Sequence, residues 1–153
     1  MREALLYKNL GKDNLVQCQT CQHCCTLKPG ERGKCGVRKN INGKIYSLVY
    51  GRVAALNIDP IEKKPFFHFM PGTETLSLGT GGCNFQCHNC LNWNISQSPK
   101  LTGKIEGEEG KPEKIVETAK RYRCPSIAYA YNEPTVFLDF ALDTMKLAKK
   151  RGL

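Results

Sequence analysis

Eight of the nine cysteines lie in two short runs, five between positions 18 and 35 and three between 83 and 90. That distribution constrains the fold more than any other feature. A segment that sets Pro29-Gly30, Gly33 and Gly36 among its cysteines cannot build a long helix, so residues 1 to about 36 are expected to be turn-rich and to need a staple. Disulfides are the poorer use of these thiols: their number is odd, the opening MREALLYKNLGKDN lacks the apolar core of a secretory signal, and the cytosol keeps thiols reduced. Metal or cluster binding is the expected use. A hydrophobic fraction of 41% in 153 residues is enough for a packed core. No apolar run approaches the roughly 18–20 residues of a membrane span, so a soluble cytoplasmic protein with no membrane partner is expected. The formal charge of +9 raises nucleic acid as a partner, but the basic residues are scattered and read better as a solvated surface.

Beyond the first run, Asn42-Gly43 separates two strand-like stretches, 37–41 and 44–50, and suits the positive φ angles of a type I′ hairpin. Residues 51–72, with Pro60, Pro65 and Pro71, read as an extended connection whose Phe66, Phe67 and Phe69 pack into the core. A regular pattern begins near residue 73, with a strand over 75–78 that leads through Gly79, Gly81 and Gly82 into the second cysteine run. Pro112 suits a helix start, with Ile115, Val116, Ala119 and Tyr122 on one face. A strand over 126–131 follows. Thr135 can then cap a helix that buries Phe137, Phe140, Ala141, Thr144, Leu147 and Ala148 and ends at Gly152.

The organisation is therefore a Cys-rich, hairpin-containing segment over 1–72 and a βαβα unit over 73–153, the opening of a parallel α/β sheet. The pattern stops where a third strand is due. A complete eight-unit barrel takes roughly 250 residues, so the chain is expected to be part of a longer enzyme or to have its sheet completed by a second chain.

Cys83, Cys87 and Cys90 form C-x3-C-x2-C in a glycine-preceded loop after a strand. Three thiolates on a four-iron cubane leave one iron without a protein ligand, and an open coordination position is what chemistry at a metal needs. A structural zinc site with His88 as fourth ligand, or unrelated thiols, is the alternative. In the first run, Cys18, Cys21, Cys25 and Cys35 give C-x2-C-x3-C-x9-C, with His23 and Cys24 as nearby substitutes. Such a closed set fits zinc or a second iron-sulfur cluster, which spacing does not distinguish; plain reduced thiols are the alternative. Cys124 reads as an inert small residue.

The run GRVAALNIDPIEKKPFFHFMPG, then SLGTGGCNFQCHNCLNWNISQ and SIAYAYNEPT, resembles the radical S-adenosylmethionine (SAM) enzyme of the AmmeMemoRadiSam system. It resembles the enzymes that activate pyruvate formate-lyase more distantly. The resemblance covers nearly the whole chain. It implies the opening βα units of a partial (βα)6 barrel, a 4Fe-4S cluster on Cys83, Cys87 and Cys90, and SAM as cofactor. It also implies reductive cleavage of SAM to a 5′-deoxyadenosyl radical, which abstracts hydrogen from a small-molecule or protein substrate, with electrons from a donor such as a flavodoxin or ferredoxin. Asn132, Glu133 and Pro134 stand where the superfamily carries Gly-Gly-Glu-Pro, the motif that meets the methionine amino group of SAM. A carboxylate and carbonyls at a strand's C-terminal edge can accept from an ammonium, although Glu133 can equally serve as a helix N-terminal acid. Asn89 occupies a position that is commonly aromatic in the superfamily. An activating enzyme for a glycyl radical partner and a non-catalytic iron-sulfur module are the other readings.

Overall fold

A computed structural model describes residues Met1–Leu153. The N-terminal half is built from short strands: β1 (Arg2–Glu3), β2 (Tyr7–Asn9), β3 (Val16–Cys18), β4 (Thr26–Leu27), β5 (Arg38–Ile41) and β6 (Lys44–Ser47). They form two small antiparallel sheets, β2–β3–β4 and β1–β6–β5. Ala4, Val16, Cys18, Leu27 and Ile45 fill the space between them. The hairpin turn falls where the sequence places it, with Asn42 at φ 52° and Gly43 at φ 83° joining the Ile41–Lys44 pair. Asn40 is fully buried; its amide donates to the carbonyls of Asn14 and Leu27 (both 2.8 Å), and its Oδ1 accepts from Gly43 N (2.9 Å). One side chain thus fastens the hairpin to two neighbouring segments.

The chain continues through β7 (Arg52–Val53), β8 (Ala55–Pro60), a 3-10 turn (Ile61–Lys63) and β9 (Glu74–Gly79). After the second cysteine run come α1 (Trp93–Thr102), β10 (Glu108–Glu109), α2 (Pro112–Arg121), β11 (Ser126–Tyr129), a 3-10 turn (Pro134–Phe137) and α3 (Leu138–Lys150). The main sheet has the order β11–β9–β8: β11 runs parallel to β9, in register from Ser126–Thr75 to Tyr129–Leu78, and β8 runs antiparallel to it. The crossover between the parallel strands contains α1, β10 and α2, where the sequence predicts a loop and one helix. No helix is long and apolar enough to cross a membrane.

The strand β8 lies inside the stretch expected to be an extended connection. Its burial does not alternate cleanly (intermediate, exposed, exposed, intermediate, buried, exposed), which hides it from a period-two reading. Phe66, Phe67 and Phe69 are not core residues: they are 55%, 62% and 54% exposed, on the loop that joins the 3-10 turn to β9. Tyr122 also stands outside the expected buried face of α2, because the helix ends at Arg121 and Tyr122 is its C-terminal cap. Thr135 does not cap a helix. Glu133 caps the 3-10 turn that precedes α3, its Oε1 accepting from Thr135 N (3.2 Å) and from the Thr135 hydroxyl (2.5 Å), with Pro134 at the first position where no N–H is needed.

The larger core joins both halves. Val37, Val49 and Val53 from the N-terminal half pack with Leu76, Leu78, Ile115, Phe137 and Phe140. A buried ion pair crosses the same boundary: Arg38 Nη2 on β5 donates to Asp139 Oδ2 on α3 at 2.7 Å, with side chains 2% and 1% exposed. Asp139 Oδ1 also accepts from Leu5 N (2.8 Å).

Candidate metal and cofactor site

The loop carrying Cys83, Cys87 and Cys90 leaves the C-terminal end of β9, and the Asn132-Glu133-Pro134 segment leaves the same end of the neighbouring parallel strand β11. Two motifs separated by more than 40 residues of chain are thereby brought together at the edge where ligands bind in parallel sheets. Contact between them is direct. Asn132 Nδ2 donates to Gly82 O (2.5 Å), and Thr80 N donates to Asn132 Oδ1 (3.3 Å). A Cβ on Gly79 would stand 2.6 Å from Ala130 O, so the close approach of the two loops requires glycine at that position. Asn132 therefore serves as a clasp on the glycine loop, and the Oε1 atom of Glu133 is spent on Thr135.

Helix α1, which the sequence did not disclose, supports the cysteine loop from the other side. Its composition, WNISQSPKLT, is polar, and it buries only Ser96 and Pro99. Pro99 has no N–H for the carbonyl four residues earlier. That carbonyl, Ile95 O, accepts instead from Gly82 N at 2.9 Å. A helix-weakening residue thus frees the acceptor that holds the loop next to Cys83. Lys100 Nζ (3.0 Å) and Gln97 Nε2 (3.2 Å) both donate to Phe85 O, and the Ser96 hydroxyl lies 3.4 Å from Cys90 Sγ. Burial lowers the Lys100 pKa, and the nearby thiols of Cys83 and Cys35 oppose that shift.

Cys83 is buried, Cys90 half-buried and Cys87 exposed, and none is in a disulfide. Phe85 N donates to Cys83 Sγ (3.4 Å), the local N–H···S contact of a loop that folds back on its own sulfur. As the side chains stand, no group of three His, Cys, Asp or Glu residues is arranged to hold an ion. The donor set is nonetheless suited to a cluster: three free thiols within eight residues, on a loop already braced by backbone and side-chain hydrogen bonds. His88, the alternative fourth ligand, makes no hydrogen bond in the structure, whereas His23 Nε2 reaches the same loop and donates to Asn84 O at 2.9 Å.

Tyr131, just before the Asn-Glu-Pro segment, has φ 68°, a left-handed conformation unfavourable for an aromatic residue. Its hydroxyl donates to Asp59 Oδ2 (3.2 Å) and accepts from Asn57 Nδ2 (2.9 Å), and the Lys64 ammonium lies 5.3 Å from the ring centre. Burial would raise the Asp59 carboxyl, but hydrogen bonds from Lys63 (2.7 Å) and Lys64 (2.8 Å) outweigh it and hold the pKa well below the ordinary carboxylate range. The depressed pKa means that the stabilisation by Asp59 is complete above its unfolded value of about 3.9 and is lost as pH falls through the folded value. Asp59→Ala is expected to cost about 2 kcal/mol near neutral pH. In acid the variant and the parent should converge, as read from urea midpoints at a series of pH values; a constant difference down to the acid limb would contradict this assignment.

No protein-family model matches the chain, and no solved structure matches it. A relative is found by sequence. Uncharacterized protein MJ0808 of Methanocaldococcus jannaschii is 52% identical over 153 residues, which is 100% of this chain and 45% of that protein. The chain thus spans a little under half of the length of this relative.

Proposed function

We propose that this chain is the amino-terminal part of a radical SAM enzyme, in which Cys83, Cys87 and Cys90 hold a 4Fe-4S cluster and Asn132, Glu133 and Pro134 lie against SAM. The observation that carries the reading is the meeting of the two motifs at one end of adjacent parallel strands, joined by the bond from Asn132 to Gly82 O. When bound, the cluster supplies the electron that cleaves SAM to a 5′-deoxyadenosyl radical able to take a hydrogen atom from a substrate.

The chain's own residues supply position and shielding. Pro99 and Asn132 fix the two sides of the glycine loop through Gly82, so Cys83 is presented from a braced backbone. Lys100 places a half-buried ammonium on the cysteine loop at Phe85 O, where it would offset thiolate charge. Pro134 and the Glu133 cap hold the segment that faces SAM in one conformation, and Tyr131 is fixed beside them by Asp59 and Asn57.

The test uses the full-length protein, reconstituted with iron and sulfide under anaerobic conditions and supplied with SAM and dithionite. Formation of 5′-deoxyadenosine is expected, with loss to background in Cys87→Ala. Adding SAM should change the electron paramagnetic resonance signal of the reduced cluster, because the uncoordinated iron becomes a ligand site. A fully loaded protein that makes no 5′-deoxyadenosine and whose signal ignores SAM would exclude the reading, as would zinc bound between these three thiolates.

A further inference from the structure

Cys18, Cys21, Cys25 and Cys35 are among the residues that line one small void. Four thiols leave no coordination position open, which is the donor set of a closed tetrahedral site. Cys24 is excluded from the set: it is exposed, does not line the void, and its thiol turns toward Cys21 O at 3.6 Å. His23 borders the void, but its Nε2 is committed to Asn84 O.

An independent feature points into the same space. Arg38 also lines the void and is 2% exposed. Only its Nη2 is satisfied, by Asp139; Nε and Nη1 are buried without an acceptor. Unmet N–H groups on a buried guanidinium are costly, and neutral thiols are weak acceptors. Four thiolates around a divalent ion carry a net charge of about −2 and accept N–H···S hydrogen bonds well. Gly36, at φ 78°, turns the chain between Cys35 and the strand that carries Arg38.

We propose that Cys18, Cys21, Cys25 and Cys35 bind one tetrahedral zinc ion, closed to outside ligands, and that Arg38 is its outer hydrogen-bond partner, linking it through Asp139 to α3. The ion draws the four sulfurs inward onto the void and staples the turn-rich segment, so that metal binding contributes to folding. No cysteine of the second run lines this void, and the inference stands apart from the cluster reading.

Metal analysis of the full-length protein, expressed with zinc supplementation, is expected to give about one zinc per chain. Cys24→Ser should keep it and the double variant Cys18→Ser, Cys35→Ser should lose it. Because the double variant can fail to fold, the parent protein is also loaded with cobalt, which should show the visible bands of a tetrahedral thiolate site. Arg38→Gln should retain the ion with a dissociation constant raised about 10–100-fold in competition with a chelator. A parent protein with neither zinc nor a tetrahedral cobalt spectrum, a folded double variant that keeps its zinc, or iron held by these four thiols overturns the assignment of the ion. An unchanged dissociation constant in Arg38→Gln overturns the role of Arg38.

Discussion

Asp139→Ala is expected to lower the unfolding free energy by about 3–5 kcal/mol, a large part of what a domain of this size possesses. The substitution leaves the Arg38 guanidinium, 2% exposed, without the carboxylate that balances its charge. It also removes the acceptor of Leu5 N. Urea denaturation measures the loss. Replacing both charges, Arg38→Met with Asp139→Leu, should cost less than either single change, because a packed apolar pair carries no desolvation penalty. If the two single changes instead add in the double variant, the pair is not coupled and the bridge between β5 and α3 contributes little.

Gly82→Ala should cost about 2–4 kcal/mol. The residue has φ 83°, and an added Cβ would stand 2.7 Å from Cys35 O and collide with Val37 Cγ1. Neither obstacle is the flexible end of a long side chain. Gly72→Ala is the matched control: φ is 74° but nothing lies within 4 Å, so only the conformational cost of about 1 kcal/mol is expected. Thermal unfolding of both variants separates strain from contact, and equal losses would show that the packing of Gly82 on the first cysteine segment is immaterial. Iron content after reconstitution should fall in Gly82→Ala and not in Gly72→Ala, since only the former displaces the loop that begins at Cys83.

Local chemistry made some elements legible in advance. Asn42-Gly43 can hardly be anything but a tight turn, and the apolar spacing of α2 and α3 is regular enough to locate both helices. The glycine loop follows β9 directly, whereas the strand expected over 126–131 ends at Tyr129, so Ala130 and Tyr131 separate it from the Asn-Glu-Pro segment. What escaped was set by tertiary partners. Helix α1 is polar and contains Pro99, and only the bond from Gly82 N to Ile95 O reveals why a proline suits it. Strand β8 lacks alternation because its neighbour, rather than its own pattern, fixes it. The three phenylalanines at 66, 67 and 69 looked like core by composition alone, and nothing in their spacing signals exposure. Arg38 is not legible as a buried residue, because a charged residue in a strand usually faces water; only the packing of α3 on the hairpin face that it shares with Asn40, Ile45 and Ser47 encloses it.

The pairing of β8 with β9, and the insertion of Val37 and Val49 among Leu76 and Phe140, have a consequence for how the molecule comes apart. A segment begun at residue 73 would lose an edge strand and expose the apolar flank of its first parallel strand to water. Excision of either portion should yield an insoluble or molten product, while the intact chain should melt in one cooperative step whatever spectroscopic probe follows it.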